Sequence, residues 1–205
     1  MEHKTEDLNR HQIIRKDARG CFVEAKSDCF NIGKVHLEFA TYDARQPTGQ
    51  RMNNHVHIYI DVPEFLHLAQ EALSGALHMR AKQQRESNDN KPLYEHLGGT
   101  SAERLAQFGK TRPDGKSLSR IVKLIWGQKV DYLFVADSGP GETNATGLIV
   151  PKFGKEPENH VSVGLNWRNL NEMLLTTQVH YGAWLAAWYA KQPEPQRFNG
   201  GNGRA

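Results

Sequence analysis

The chain has 205 residues, with 26 Lys and Arg against 23 Asp and Glu; it is 38% hydrophobic and 24% charged. Such a length makes one large domain or two small ones, and such a composition folds, which excludes wholesale disorder, a collagen-like repeat and a disulfide scaffold. The longest apolar run, 183–190, is far short of the roughly 20 residues of a membrane helix, and the first residues have no apolar core of a signal peptide; the expected setting is cytoplasmic, with no membrane.

In chain order, residues 1–29 are polar, with Ile13, Ile14, Phe22 and Val23 as the apolar anchors, and read as an ill-ordered arm or an edge element. Lys34–Tyr42 alternates, with Val35, Leu37 and Phe39 on one face and His36, Glu38, Ala40 and Tyr42 on the other. Val56–Ile60 alternates in the same way, setting His55, His57 and Tyr59 opposite Val56, Ile58 and Ile60. The two segments are expected to pair as a hairpin. Asp61, Pro63 and Glu64 then read as an Asx-capped helix start, and the spacing of Leu66, Ala69, Leu73, Ala76 and Leu77 carries a helix to about Arg80.

Lys82–Pro92 is polar and linker-like. Thr100-Ser-Ala-Glu103 has the form of a capping box, opening a short helix that Gly109 ends. Arg120–Trp126, Tyr132–Ala136, Leu148–Phe153 and Val161–Leu165 are dense in β-branched and aromatic residues and read as strands. The glycine-rich stretch Ala136–Leu148 between two of them reads as a wide hairpin loop. It lacks the Lys-Ser/Thr ending of a P-loop and leads into a strand.

Asn166 caps a long final helix. Trp167, Leu170, Leu174, Thr177, Tyr181, Trp184 and Trp188 step by three and four along it, a heptad seam with one polar position. A helix packed on its own sheet and a helix that also seals an oligomer both fit this seam. Residues 191–205 are tail-like by composition.

Charge is placed unevenly. Between Arg104 and Lys129 lie seven cations and one acid, a net of +6, which leaves −3 for the remainder of a chain whose total is +3. A concentrated positive stretch is the electrostatic footprint of phosphate binding, and equally the pattern of a solvated loop and helix face. Two strand-to-helix junctions, Val56–Phe65 and Val161–Leu170, also match class by class 105 residues apart.

Phe30-Asn-Ile-Gly-Lys-Val35, the hairpin and the Ile60-Asp-Val-Pro-Glu-Phe-Leu66 junction resemble the single-stranded-DNA-binding core of the positive-cofactor type of transcriptional coactivators. The wider resemblance is to the Whirly proteins, in which two sheets, each followed by a helix, occur in one chain. It covers Phe30–Leu73, and Ser119–Leu175 by element order; there is no counterpart of the Whirly Lys-Gly-Lys motif. The resemblance implies an α+β fold of duplicated antiparallel β-sheet-plus-helix units with a long C-terminal helix. It implies a domain over 30–190, with halves 30–82 and 118–190 around an insert at 83–117. It further implies single strands gripped across the sheets and assembly through helices.

Single-strand binding needs cations for phosphates and flat side chains for base stacking. The first hairpin offers His36, Tyr42, His57 and Tyr59, with Lys34, Arg45 and Arg51 at its ends. Lys110, Arg112, Lys116, Arg120, Lys123, Lys129 and Lys152 extend a basic track. The expectation is a non-enzymatic protein that binds single-stranded DNA (RNA remaining open), needs no cofactor or metal, and forms a homo-oligomer through Trp167, Leu170, Leu174, Tyr181, Trp184 and Trp188. The rivals are a metal-dependent nuclease or hydrolase using His36, His55 and His57, which alternate onto one sheet face, and a protein–protein adaptor displaying the seam.

Overall fold

A computed structural model describes residues 10–192. It is an α+β fold of two antiparallel sheets and a long C-terminal helix. The first sheet is a meander of β1 (Gln12–Ala18), β2 (Cys21–Lys26), β3 (Lys34–Tyr42) and β4 (Met52–Asp61), paired in that order. A single 3-10 turn at Phe30–Ile32 joins β2 to β3. The chain then enters α1 (Val62–Leu73) and α2 (Ala76–Ser87). The second sheet contains β5 (Tyr94–Thr100), β6 (Ser117–Trp126), β7 (Tyr132–Thr143), β8 (Ile149–Pro151) and β9 (Asn159–Leu165), with the short α3 (Ala102–Gln107) between β5 and β6. The long β7 pairs with β9 along its first half and with β8 along its end. The chain then runs into α4 (Trp167–Ala190).

Alternation decides what is buried. Val35, Leu37 and Phe39 of β3 and Val56, Ile58 and Ile60 of β4 are buried against Val122 and Leu124 of β6, Phe134 of β7, and Val161 and Val163 of β9. Phe39 meets Phe134 edge-on at 5.1 Å, joining the two sheets in one core. Each such side chain contributes about 1.5–3 kcal/mol on leaving water. Phe65, Leu68 and Ala72 of α1 and Leu170, Met173 and Leu174 of α4 complete that core.

Several expectations change. Of the two readings of the N-terminal segment, the edge element holds over its described residues for β1, while β2 lies inside the sheet, with Val23 and Ala25 wholly buried. Its sparse apolar content misleads because only one face of each strand meets the core. The first long helix is broken at Ser74–Gly75, where Gly75 adopts φ +83°, and resumes as α2 through much of the expected linker. Asp61 does not cap α1 with its side chain; its carboxylate pairs with Lys34 at 2.7 Å instead. Asn166 does cap α4, accepting from the Asn169 amide at 2.7 Å.

The stretch Ala136–Leu148 is mostly strand. Its turn is confined to 144–148, where Asn144 Oδ1 accepts from the Thr146 and Leu148 amides. Gly139 and Gly141 serve close approach rather than a loop, since a Cβ at Gly141 would stand 2.8 Å from Ile149 Cγ2 and from Ser119 Cβ.

The heptad seam is largely internal. Leu170, Leu174 and Thr177 are fully buried in the chain's own core, so they are closed to any partner. Tyr181 and Trp184 pack on Phe30 at 5.2 and 5.8 Å. Trp167 and Trp188 stay nearly half exposed. The proposed tail lies, from residue 193 on, outside the described residues. Among the described residues no helix is long and apolar enough to cross a membrane.

Candidate functional site

The ends of β3 and β4, the strand β5, the helix α3 and the start of β6 enclose a cleft of about 550 Å³. One wall is Ile32, Lys34, Ile58, Tyr59 and Asp61; the other is β5 from His96 to Thr100 with Arg104, Leu105, Phe108, Lys110 and Arg120. Ser101 positions α3 by accepting from the Arg104 amide, so the cap belongs to Ser101 and not Thr100. Gly109, at φ +64°, follows α3, and Lys110 after it is on the cleft lining.

Two cation–aromatic pairs line this cleft. The Arg120 guanidinium lies 5.8 Å from the Tyr59 ring centre, and that of Arg104 lies 5.9 Å from Phe108, an exposed ring. Arg120 Nη1 donates to Thr100 Oγ1 at 2.8 Å, which fixes its head group. Burial lowers the Arg120 pKa from its usual value and raises that of Tyr59. Among the described residues Arg104, Lys110 and Arg120 make no ion pair, while Lys34 is answered by Asp61. On the β5 wall His96 is oriented by Glu64, whose carboxylate it meets through Nδ1 at 3.0 Å; Tyr94 donates to the same carboxylate at 2.7 Å.

Next to Tyr59 lies a second group, on the outer face of β3 and β4. Register places His36 opposite Tyr59 and Glu38 opposite His57. His36 stacks on Tyr59 with ring centres 4.6 Å apart. Its Nδ1 donates to the Asp28 carboxylate at 2.9 Å, and its Nε2 lies 2.8 Å from His57 Nδ1. Glu38 accepts from Lys26 at 2.8 Å and from His55 at 2.5 Å. Although burial opposes it, those hydrogen bonds carry the Glu38 carboxyl down to about 2. Burial, with His55 and His36 alongside, lowers His57 to about 4, and burial also lowers His36. Both rings are therefore neutral at pH 7, beside a charged carboxylate.

Of the residues named from sequence, Lys34, Tyr59, Lys110 and Arg120 meet in the cleft. His36 is only 4% exposed, with one ring face against Tyr59, so it has no surface on which to stack a base; His57 joins the same cluster. Tyr42 and Arg51 lie at the far end of the hairpin, in a separate hollow of about 350 Å³ with Arg15 and Phe22. Five of the cations are already matched: Lys34 by Asp61, Arg45 by Asp43, Arg112 by Asp114 and Glu158, Lys123 by Glu95, and Lys152 by Glu142. Lys116 and Lys129 are exposed and outside the cleft.

Among the cleft residues that sequence reasoning did not assign are His96, Arg104 and Phe108. Arg104 stands in the basic run, but nothing local shows that α3 folds it toward Lys34. No family model, curated protein or solved structure matches this chain.

Proposed function

We propose that the chain binds a single nucleic-acid strand, DNA in the first instance, in the cleft between the two sheets. The observation that carries this reading is the pairing of Arg120 with Tyr59 and of Arg104 with Phe108 beside Lys110. Phe108 offers an exposed ring for a base next to the Arg104 cation, while Arg120, beside a Tyr59 ring already stacked on His36, adds a cation for the adjoining phosphate; these are the two needs of single-strand recognition. Among the described residues Asp61 is the only carboxylate on the lining, and Lys34 neutralises it. The element order, with each sheet running into a helix, is in keeping with the Whirly-like duplication read from the sequence. The reading is of a binder, and no catalytic step is assigned.

The test is a titration of labelled oligo-dT at two salt concentrations, in EDTA. With three cations in the cleft that make no ion pair among the described residues, Arg104, Lys110 and Arg120, and a slope near −0.7 per phosphate contact on a single strand, log affinity should fall against log salt with a slope of about −2. Salt-independent binding, or tighter binding of a duplex of equal length, would contradict it. Degradation of the strand when divalent metal replaces EDTA would favour the hydrolase reading instead.

A further inference from the structure

We infer that His36, His57 and Glu38 form a binding site for a divalent transition-metal ion of the zinc class, with Asp28 as the carboxylate that orients His36. The inference rests on β3, β4 and Asp28 in the segment before β3, and stands whether or not the cleft takes nucleic acid.

The donor atoms of His36, Glu38 and His57 all lie within 4.8 Å of one another. They come from adjacent positions in a register that allows little freedom. His36 and Glu38 are two apart on β3 and so share a face, and His57 stands directly across from Glu38 on β4. Two imidazoles and one carboxylate are a donor set suited to zinc and its neighbours, with positions left for water. A ligating histidine usually donates its other ring N–H to a carboxylate, and here Asp28 already receives the His36 Nδ1 proton at 2.9 Å. The Nε2 lone pair of His36 is thereby aimed at the point that His57 Nδ1 also faces, 2.8 Å away.

That separation is a hydrogen bond, with the bridging proton on His57 Nδ1. An ion entering between the two nitrogens takes both lone pairs once this proton has moved to His57 Nε2, a change of tautomer in which neither ring gains or loses charge. Glu38 turns one oxygen from Lys26 or His55 to the metal and keeps the other partner. A rival site on the other side of the His36 ring would use Asp28 and Cys29. It is the weaker choice, because an ion there would have to break the hydrogen bond from His36 Nδ1 to the Asp28 carboxylate that orients the ring.

Calorimetry of the EDTA-stripped full chain with Zn²⁺ should give one equivalent bound, and Co²⁺ should give a visible band of the same stoichiometry. His57→Ala, at a half-buried position, should weaken Zn²⁺ binding by at least about tenfold, and Asp28→Asn by about 10–100-fold, while His78→Gln, remote on α2, should leave it unchanged. Contact-shifted imidazole signals from two histidines in the Co²⁺ form of the unmutated chain give the same answer without a variant. Absence of any binding at millimolar metal would reduce the cluster to a hydrogen-bonded network and overturn the inference. So would Zn²⁺ binding equal in His57→Ala and the unmutated chain, or the imidazole signals of other histidines. Unchanged oligo-dT binding in His57→Ala keeps the fate of this site separate from that of the cleft.

Discussion

Tyr59 and Arg120 occupy a boundary that strand alternation alone does not reveal. Tyr59 is on the outer face of β4, where sequence reading places it, but Arg120 shares the core-facing side of β6 with Val122 and Leu124. It escapes the core only because it stands near the start of β6, beyond the apolar block, and its head reaches Thr100 and Tyr59. The alternation of β3 is legible; the burial of both its faces is not. His36 and Glu38 are 4% and 6% exposed because Lys26, His55, His57 and Tyr59 cover them, and those neighbours follow from cross-strand register. Gly99 makes the same point through packing. A Cβ there would lie 2.5 Å from the Leu118 carbonyl oxygen and 2.9 Å from Ile149 Cγ2, whereas one at Gly98 first meets His96 at 3.4 Å. Gly99→Ala should therefore cost about 1–3 kcal/mol in denaturant unfolding. Gly98→Ala should cost clearly less, and equal losses would mean that β5 does not press against β6 and β8 as described.

Helix starts and strands differ in how much of themselves they announce. Asn166 and Asp61 occupy equivalent places at two strand-to-helix junctions, and a sequence pattern treats them alike. In the folded chain only Asn166 accepts from its helix, while Asp61 has a stronger partner in Lys34, which its β4 register brings alongside. Asn166→Ala should lower stability by about 1 kcal/mol, the usual loss of a side-chain cap. Asp61→Ala breaks only a surface ion pair and should change stability by less than about 0.5 kcal/mol. The same thermal or urea unfolding series reads both, and equal losses would contradict the difference in capping. The elements hardest to read were β1, β2 and β5. Each mixes charged and apolar residues, and β5 carries Gly98 and Gly99; their strand character comes from pairing with a neighbour rather than from local propensity. The seam of α4 was legible as a stripe, but which partner covers it depended on where α1 and the sheets lie. The core takes Leu170 through Thr177, and the aromatic ladder beyond rests on Phe30.

At the scale of the whole molecule, charge placement carries the functional argument, and folding sorts it. The sequence presents one basic run from Arg104 to Lys129. In three dimensions that run divides into cations spent inside the chain, Arg112 and Lys123, cations turned into the cleft, Arg104, Lys110 and Arg120, and two that are exposed outside it, Lys116 and Lys129. Lys34 and Tyr59 come from the other sheet, so the cleft exists only when both halves are folded together. No motif spacing encodes that junction, which is why the basic character was readable from sequence and the site itself was not. The central claim is that the cleft cations, and not the total charge, hold the strand. It is tested most directly by comparing two double variants of equal charge loss in the oligo-dT titration at one salt concentration. Arg104→Gln with Lys110→Gln removes two cleft cations; Lys123→Gln with Lys152→Gln removes two that Glu95 and Glu142 already match. The account predicts that the first variant loses most of its affinity, while the second binds within about twofold of the unmutated chain, as expected for charges already satisfied at the surface. Equal losses in the two variants would contradict it.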